Sequence, residues 1–198
     1  MKHNKILSAL LLLLLFSSCE KEEKVEDDSI YKEELFTANA WKLVSAHTDY
    51  DLVGSSVIGS IPYAGTGELL DYMEECQNDY ELTYLTTKKV QVQTGNDFCE
   101  SLLSNKTLEF ATWSVKDDTL SIEYDQNYIA LIQSMYDTNI PIEEQELSFI
   151  ELTGDKLVLK LEISEDDIEE YASQFIPVVG LTVTGTMTIT YTYEPGTL

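Results

Sequence analysis

The sequence predicts an all-β domain, an antiparallel up-and-down β-barrel of about eight strands with two or three short helices inserted. Strict alternation is the first reason. Leu181, Val183, Gly185, Met187, Ile189, Tyr191 and Tyr193 fall on one parity, and six threonines from Thr182 to Thr192 fall on the other. The stretch from Cys76 to Tyr124 repeats the pattern. Tyr80, Leu82 and Tyr84 share a face, as do Val90 and Val92, Trp113 and Val115, and Leu120, Ile122 and Tyr124. The third reason is the uncharged threonine face, which invites aggregation at an open sheet edge. Closure into a barrel removes that edge.

Composition limits the partners. The formal net charge is −24, and all twelve basic residues are lysine. Without arginine there is no bidentate fork for phosphate, and a surface this acidic repels nucleic acid. No Asp-x-Asp-x-Asp-Gly loop suits calcium. Beyond the first residues His47 is the only histidine, and no Cys-x-x-Cys pair accompanies it, so zinc lacks ligands. No metal and no cofactor is expected.

From the N-terminus, Met1 to Lys5 is positively charged and Ile6 to Phe16 is apolar apart from Ser8. That run is too short to span a bilayer, which takes about 20 residues. Ser17-Ser18-Cys19 follows, with Phe16 where leucine is usual. The arrangement resembles a bacterial lipoprotein signal peptide over residues 1–18, with Cys19 as the acylated new N-terminus. The acyl chains would make the membrane a partner. Residues 19–29 are charged and poor in apolar groups, as in an unstructured tether. Lys21 followed by Glu22 and Glu23 resembles the surface-export signal of some Gram-negative lipoproteins. The resemblance implies the outer membrane and an outward-facing domain; a plain linker facing the periplasm is the alternative.

Residues 30–198 form the domain. Ser29 is a plausible N-cap for a short helix ending at Phe36, and Trp41 to Ser45 reads as the first strand. Leu52 to Gly67 is glycine-rich, apolar and uncharged. It fits either a hairpin or a flap over a cavity mouth. Thr66 then caps a helix carrying Leu69, Leu70, Met73 and Cys76. Leu108 and Phe110 differ in parity from Trp113 and Val115, and Leu147 and Phe149 differ from Ile150 and Leu152. A bulge, or a strand buried on both sides, is expected at each place. A helix follows Asp125, with Tyr128, Leu131, Ile132 and Met135 as its apolar stripe. Gly154-Asp155 suits a type II′ hairpin turn. Ser164 and Asp167 form a box-like cap for a helix with Ile168, Tyr171 and Phe175 on one face, stopped by Pro177. The two helices either seal the core or gate a cavity. Gly185 allows a bend or leaves room for a ligand.

Cys76 and Cys99 are the thiols left once Cys19 is acylated. In an oxidising compartment they either bridge, which is worth roughly 3 kcal/mol, or remain separate buried thiols. The order of Trp41, Cys76, Asp79-Tyr80, Cys99, Trp113-x-Val115, Leu120-x-Ile122 and Ile150-x-Leu152 resembles the lipocalin-like domain lipoproteins of Gram-negative bacteria. The resemblance covers about Leu35 to Tyr193. It implies a small barrel whose first-strand tryptophan plugs the floor, and it carries over no catalytic residue.

Catalysis has little support. His47 stands beside Asp49 and Asp51, but no nucleophile elbow or Cys-His pattern occurs. A binding module is expected instead. A small apolar ligand inside the barrel would meet Trp113, Ile122, Tyr124, Leu159, Met187 and Tyr191. The alternative is a surface-exposed interaction lipoprotein that contacts glycans or envelope proteins from outside, with tyrosines as stacking surfaces.

Overall fold

A computed structural model describes residues 29–56, 59–72, 79–93, 107–130, 144–168 and 182–196. Cys19, Cys76 and Cys99 lie outside the described residues, as do the leader, nearly all of the tether and the rest of the two helices expected after Asp125 and Ser164. The described elements are α1 (Glu33–Phe36), β1 (Ala40–Ser56), β2 (Gly59–Glu68), β3 (Glu81–Tyr84), β4 (Lys89–Gln93), β5 (Thr107–Lys116), β6 (Thr119–Tyr124), β7 (Glu144–Leu152), β8 (Leu157–Ile163) and β9 (Thr182–Pro195). A 3₁₀ turn spans Leu69–Tyr72, and helical turns occupy 126–130 and 165–168.

Every pairing is antiparallel. From β3 to β9 each strand pairs with the next, β3 pairs with the start of β1, and β9 pairs with β1 along most of its length. These eight strands form a closed ring. The second half of β1, His47–Ser56, forms a hairpin with β2. The hairpin reading of Leu52 to Gly67 therefore holds, and the first strand runs on well past Ser45. The sequence pattern supports this extension. His47, Asp49 and Asp51 are exposed, while Ala46 and Thr48 are buried and Tyr50 and Leu52 half-buried.

Both expected phase shifts are irregularities in register. One lies between Val90 and Gln91 where they meet β5, leaving Phe110 as the extra residue. The other lies between Phe149 and Glu151 and leaves Ile150 unopposed and about half exposed. Ile150 therefore faces outward, unlike its expected partner Leu152, which is buried. A third shift falls between Leu43 and Ser45.

The barrel floor is aromatic. Phe36, at the end of α1, has no exposed surface and meets Tyr84, Trp113 and Phe149 at ring-centroid distances of 4.2, 5.2 and 5.3 Å. Trp41 and Trp113 are buried with their indole N–H groups satisfied. Trp41 Nε1 donates to the Phe36 carbonyl at 2.8 Å, and Trp113 Nε1 donates to the Leu85 carbonyl at 3.0 Å. A buried tryptophan with a bonded N–H contributes apolar area without an orphaned donor. Lys88 latches this end from outside: its Nζ lies 3.8 Å from the Trp113 ring centre and 2.8 Å from Glu33.

The turns at the floor are tight, but their chemistry differs from the pattern reading. Gly154 takes no positive φ, so its turn is not type II′; Thr153 N–H donates to the Lys156 carbonyl at 2.8 Å. Between β5 and β6, Asp117 and Asp118 take φ of 48° and 58°, the primed turn that matches strand twist. Asp118 also anchors the N-terminal segment. It accepts hydrogen bonds from Ser29 Oγ at 2.6 Å, Tyr31 N–H at 2.7 Å and Ile30 N–H at 3.1 Å. Ser29 is therefore no helix N-cap, and α1 begins after Lys32 without a side-chain cap.

The Ser29 hydroxyl, opposed by burial but aided by the Tyr31 and Ile30 N–H groups, holds the Asp118 carboxyl below its ordinary range. A carboxylate with a depressed folded-state pKa stabilises the fold above its unfolded pKa and loses that contribution as pH falls through the folded value. Asp118→Asn should therefore be less stable than the parent at pH 7, and the gap should narrow at pH 3. Urea denaturation at both pH values measures it; a gap of equal size would show that charge plays no part.

The ring and its core are complete within Ser29–Gly196, so this stretch is expected to fold alone.

Candidate functional site

The two barrel ends differ. At the floor, the connections between β3 and β4, β5 and β6, and β7 and β8 are two to four residues long, and α1 closes the opening. At the other end, the connections after β4, β6 and β8 are all long. Any opening into the interior belongs at this second end, the mouth.

Opposed residues in antiparallel strands share a face, so register identifies the lining. Near the floor Trp41, Tyr84, Val90, Leu120, Leu157 and Leu159 are at most 1% exposed. Toward the mouth, inward residues stay half-buried: Tyr50, Leu52, Met187 and Ile163. An inward apolar side chain that keeps solvent contact marks an interior not filled to its rim. The lip is the β1–β2 hairpin, where Ile61 and Tyr63 are 73% and 64% exposed and share the inward face with Leu52 and Gly54. Tyr63 stacks on Tyr50 with ring centres 5.3 Å apart and planes at 16°. Gly65 permits that stack, because a Cβ there would come within 2.7 Å of the Tyr50 hydroxyl.

Thr66, expected as a helix cap, lies inside β2 opposite Asp49. The neighbouring Glu68 does the local work. β1 exchanges its edge partner from β3 to β2 just where it bulges, which would strand the Ala46 N–H. The Glu68 carboxylate accepts it at 2.5 Å and also accepts Ser45 Oγ at 2.8 Å. The Ala46 N–H, opposed by burial but aided by Ser45, Leu70 and His47, keeps this carboxyl ionised below its ordinary range.

All six expected lining residues face inward, in two groups. Trp113, Ile122 and Leu159 belong to the sealed core. Tyr124, Met187 and Tyr191 are half-buried. Tyr124 donates to Gln145 Oε1 at 2.8 Å, a polar pair on the inward face near the helical turn at 126–130. Gly185 leaves no room for a ligand. Its φ is 135°, and the Asp51 backbone occupies the place a Cβ would take. His47 lies on the outer face with Asp49, at 3.7 Å, both about half exposed and remote from the interior.

Sequence reasoning missed Thr48. It is 4% exposed and inward-facing, and its hydroxyl has no hydrogen-bond partner. Its flanking exposed residues, His47 and Asp49, were the available signal that it occupies the buried parity.

The sequence matches no protein-family model and no curated protein. Among solved structures it is similar to a polyisoprenoid binding domain from Saccharophagus degradans implicated in plant cell wall breakdown. The identity is 14% over 79% of this chain and 99% of that one, with a TM-score of 0.33. It is also similar to the ywiB protein from Bacillus subtilis, at 13% identity over 82% of this chain and 99% of that one, with a TM-score of 0.20. Superpositions this loose carry no argument about function.

Proposed function

We propose that the protein is a lipid-anchored binding module of the bacterial cell envelope, which takes a small apolar ligand through the barrel mouth. The observation that carries the reading is the contrast between a sealed aromatic floor and partly buried apolar side chains facing inward at the mouth. Binding buries that surface at roughly 25 cal/mol per Å² before the costs of association are met. The reading is of a binder, not a catalyst, since His47 and its acidic neighbours lie on the outer face. Contact with glycans through a tyrosine surface has less support. Among the tyrosines whose side chains are described, Tyr63 is the exposed one, and it stacks on Tyr50. Anchoring rests on Cys19 and its flanks, and the acidic tether favours an outward-facing domain at the outer membrane.

The experiment has two arms. The uncharged probe N-phenyl-1-naphthylamine should bind residues 29–198 saturably with one site and enhanced fluorescence, and Met187→Glu should weaken it. No saturable binding would refute the ligand. In cells, Cys19→Ala should move the protein from the membrane to a soluble fraction; continued retention would refute the anchor.

A further inference from the structure

Among the described residues, Thr48 places in the interior a hydroxyl that folding leaves without a hydrogen-bond partner. Leu120, Leu147, Leu161, Ile189, Thr48 and Gly67 oppose one another in turn across β6, β7, β8, β9, β1 and β2. Four aliphatic side chains thus lead to a hydroxyl and then to a glycine. Thr48 is 96% buried, and its Oγ1 neither donates nor accepts a hydrogen bond. A buried hydroxyl in that condition is costly, and a valine of the same shape would avoid the cost. Next to it lies space: a Cβ built on Gly67 would meet nothing within 4 Å.

Charge restricts what could use that hydroxyl. Among the described residues no lysine faces the interior. Lys42 and Lys160 are on outward parity, and Lys88 sits outside the floor. His47, Asp49 and Asp51 are exposed on the outer parity of β1. An anionic head group brought to Thr48 would be desolvated without a cation, inside a chain of net charge −24. A neutral group would bear no such penalty.

We infer that Thr48 and the space at Gly67 form a head-group subsite, and that the ligand is a neutral amphiphile: an apolar chain ending in an uncharged hydrogen-bonding group such as an alcohol. This rests on the apolar-barrel reading above and adds the chemical class of the ligand. The Thr48 hydroxyl both donates and accepts, so it can pair with an alcohol in either sense.

Displacement of N-phenyl-1-naphthylamine from residues 29–198 tests it, with 1-decanol and decanoate compared at pH 8. Decanol should displace the probe at concentrations about tenfold lower or better, since burying an unpaired carboxylate is far costlier than burying a hydroxyl. Thr48→Val should weaken decanol by about three- to tenfold once its displacement is corrected for the probe's affinity measured on the same variant, the worth of one neutral hydrogen bond. Thr48→Ser should keep the decanol preference. The valine variant without ligand should melt no lower than the parent, so lost affinity cannot be ascribed to misfolding. Equal displacement by decanol and decanoate, or an unchanged decanol affinity in Thr48→Val, would overturn the subsite while the apolar-barrel reading stands. Failure of the probe itself to bind would sink that reading and the subsite together.

Discussion

Phe36→Ala should cost about 3–5 kcal/mol of stability, the range for removing a buried aromatic that its surroundings cannot replace. Small domains have only about 5–15 kcal/mol in total. The position is severe for a geometric reason. Phe36 ends a helix of four residues and is the one ring shared by Tyr31, Tyr84, Trp113 and Phe149. Those neighbours come from the N-terminal segment, β3, β5 and β7, and each is held by its own strand pairing or anchor, so the walls cannot collapse into the hole. The Phe36 carbonyl also holds Trp41. Both tryptophans of the chain, Trp41 and Trp113, line this floor. Urea denaturation followed by tryptophan emission therefore reads the damaged region directly. A loss below about 1 kcal/mol, the scale of a typical surface change, would mean the floor repacks freely.

Gly185→Ala should cost about 3 kcal/mol or more, by adding a left-handed backbone penalty to a steric one. At φ 135° an L-residue is strained wherever it sits. The added Cβ would also lie 2.1 Å from the Asp51 carbonyl oxygen and 2.9 Å from Leu52 Cα. Both are backbone atoms, fixed by the pairing of β1 with β9, so no rotamer change relieves the clash. Gly154→Ala is the control. It has open space around its Cβ and takes no positive φ, so it should be neutral or gain a few tenths of a kcal/mol through a less flexible unfolded chain. Equal midpoints for the two variants in urea would contradict the assigned backbone of β9.

Much of the wall was legible because burial on one face writes a period of two into the sequence. The alternation of β9 and the parity breaks around Phe110 and Ile150 translate directly into inward faces and register shifts. The cap formed by Ser164 and Asp167 was legible too, since it depends on residues three apart: Asp167 N–H donates to Ser164 Oγ at 3.2 Å. Features set by distant partners were not. Ser29 looks like a helix cap until Asp118, far along the chain, takes its hydroxyl. Thr66 looks like another until β1 recruits it into a strand. Gly185 reads as room for a ligand because a missing side chain cannot reveal which backbone comes close. The site was half legible for the same reason. Inward direction follows from parity, and all six expected lining residues have it. Which of them are sealed depends on α1 and the floor, so Trp113 and Leu159 could not be separated from Met187 beforehand. Thr48 was passed over because its polar neighbours mark its parity but not the strands on both sides that bury it.

The first strand of the ring finds its partner in the last. During synthesis, therefore, no amount of chain short of Thr182 can complete the wall, and β1 must wait with one flank open while seven other strands emerge. Such long-range closure places the protein among slow folders, on the order of milliseconds to seconds. Under the export proposed above, a final step reserved for the last strand keeps the chain from completing its wall before it has crossed the membrane.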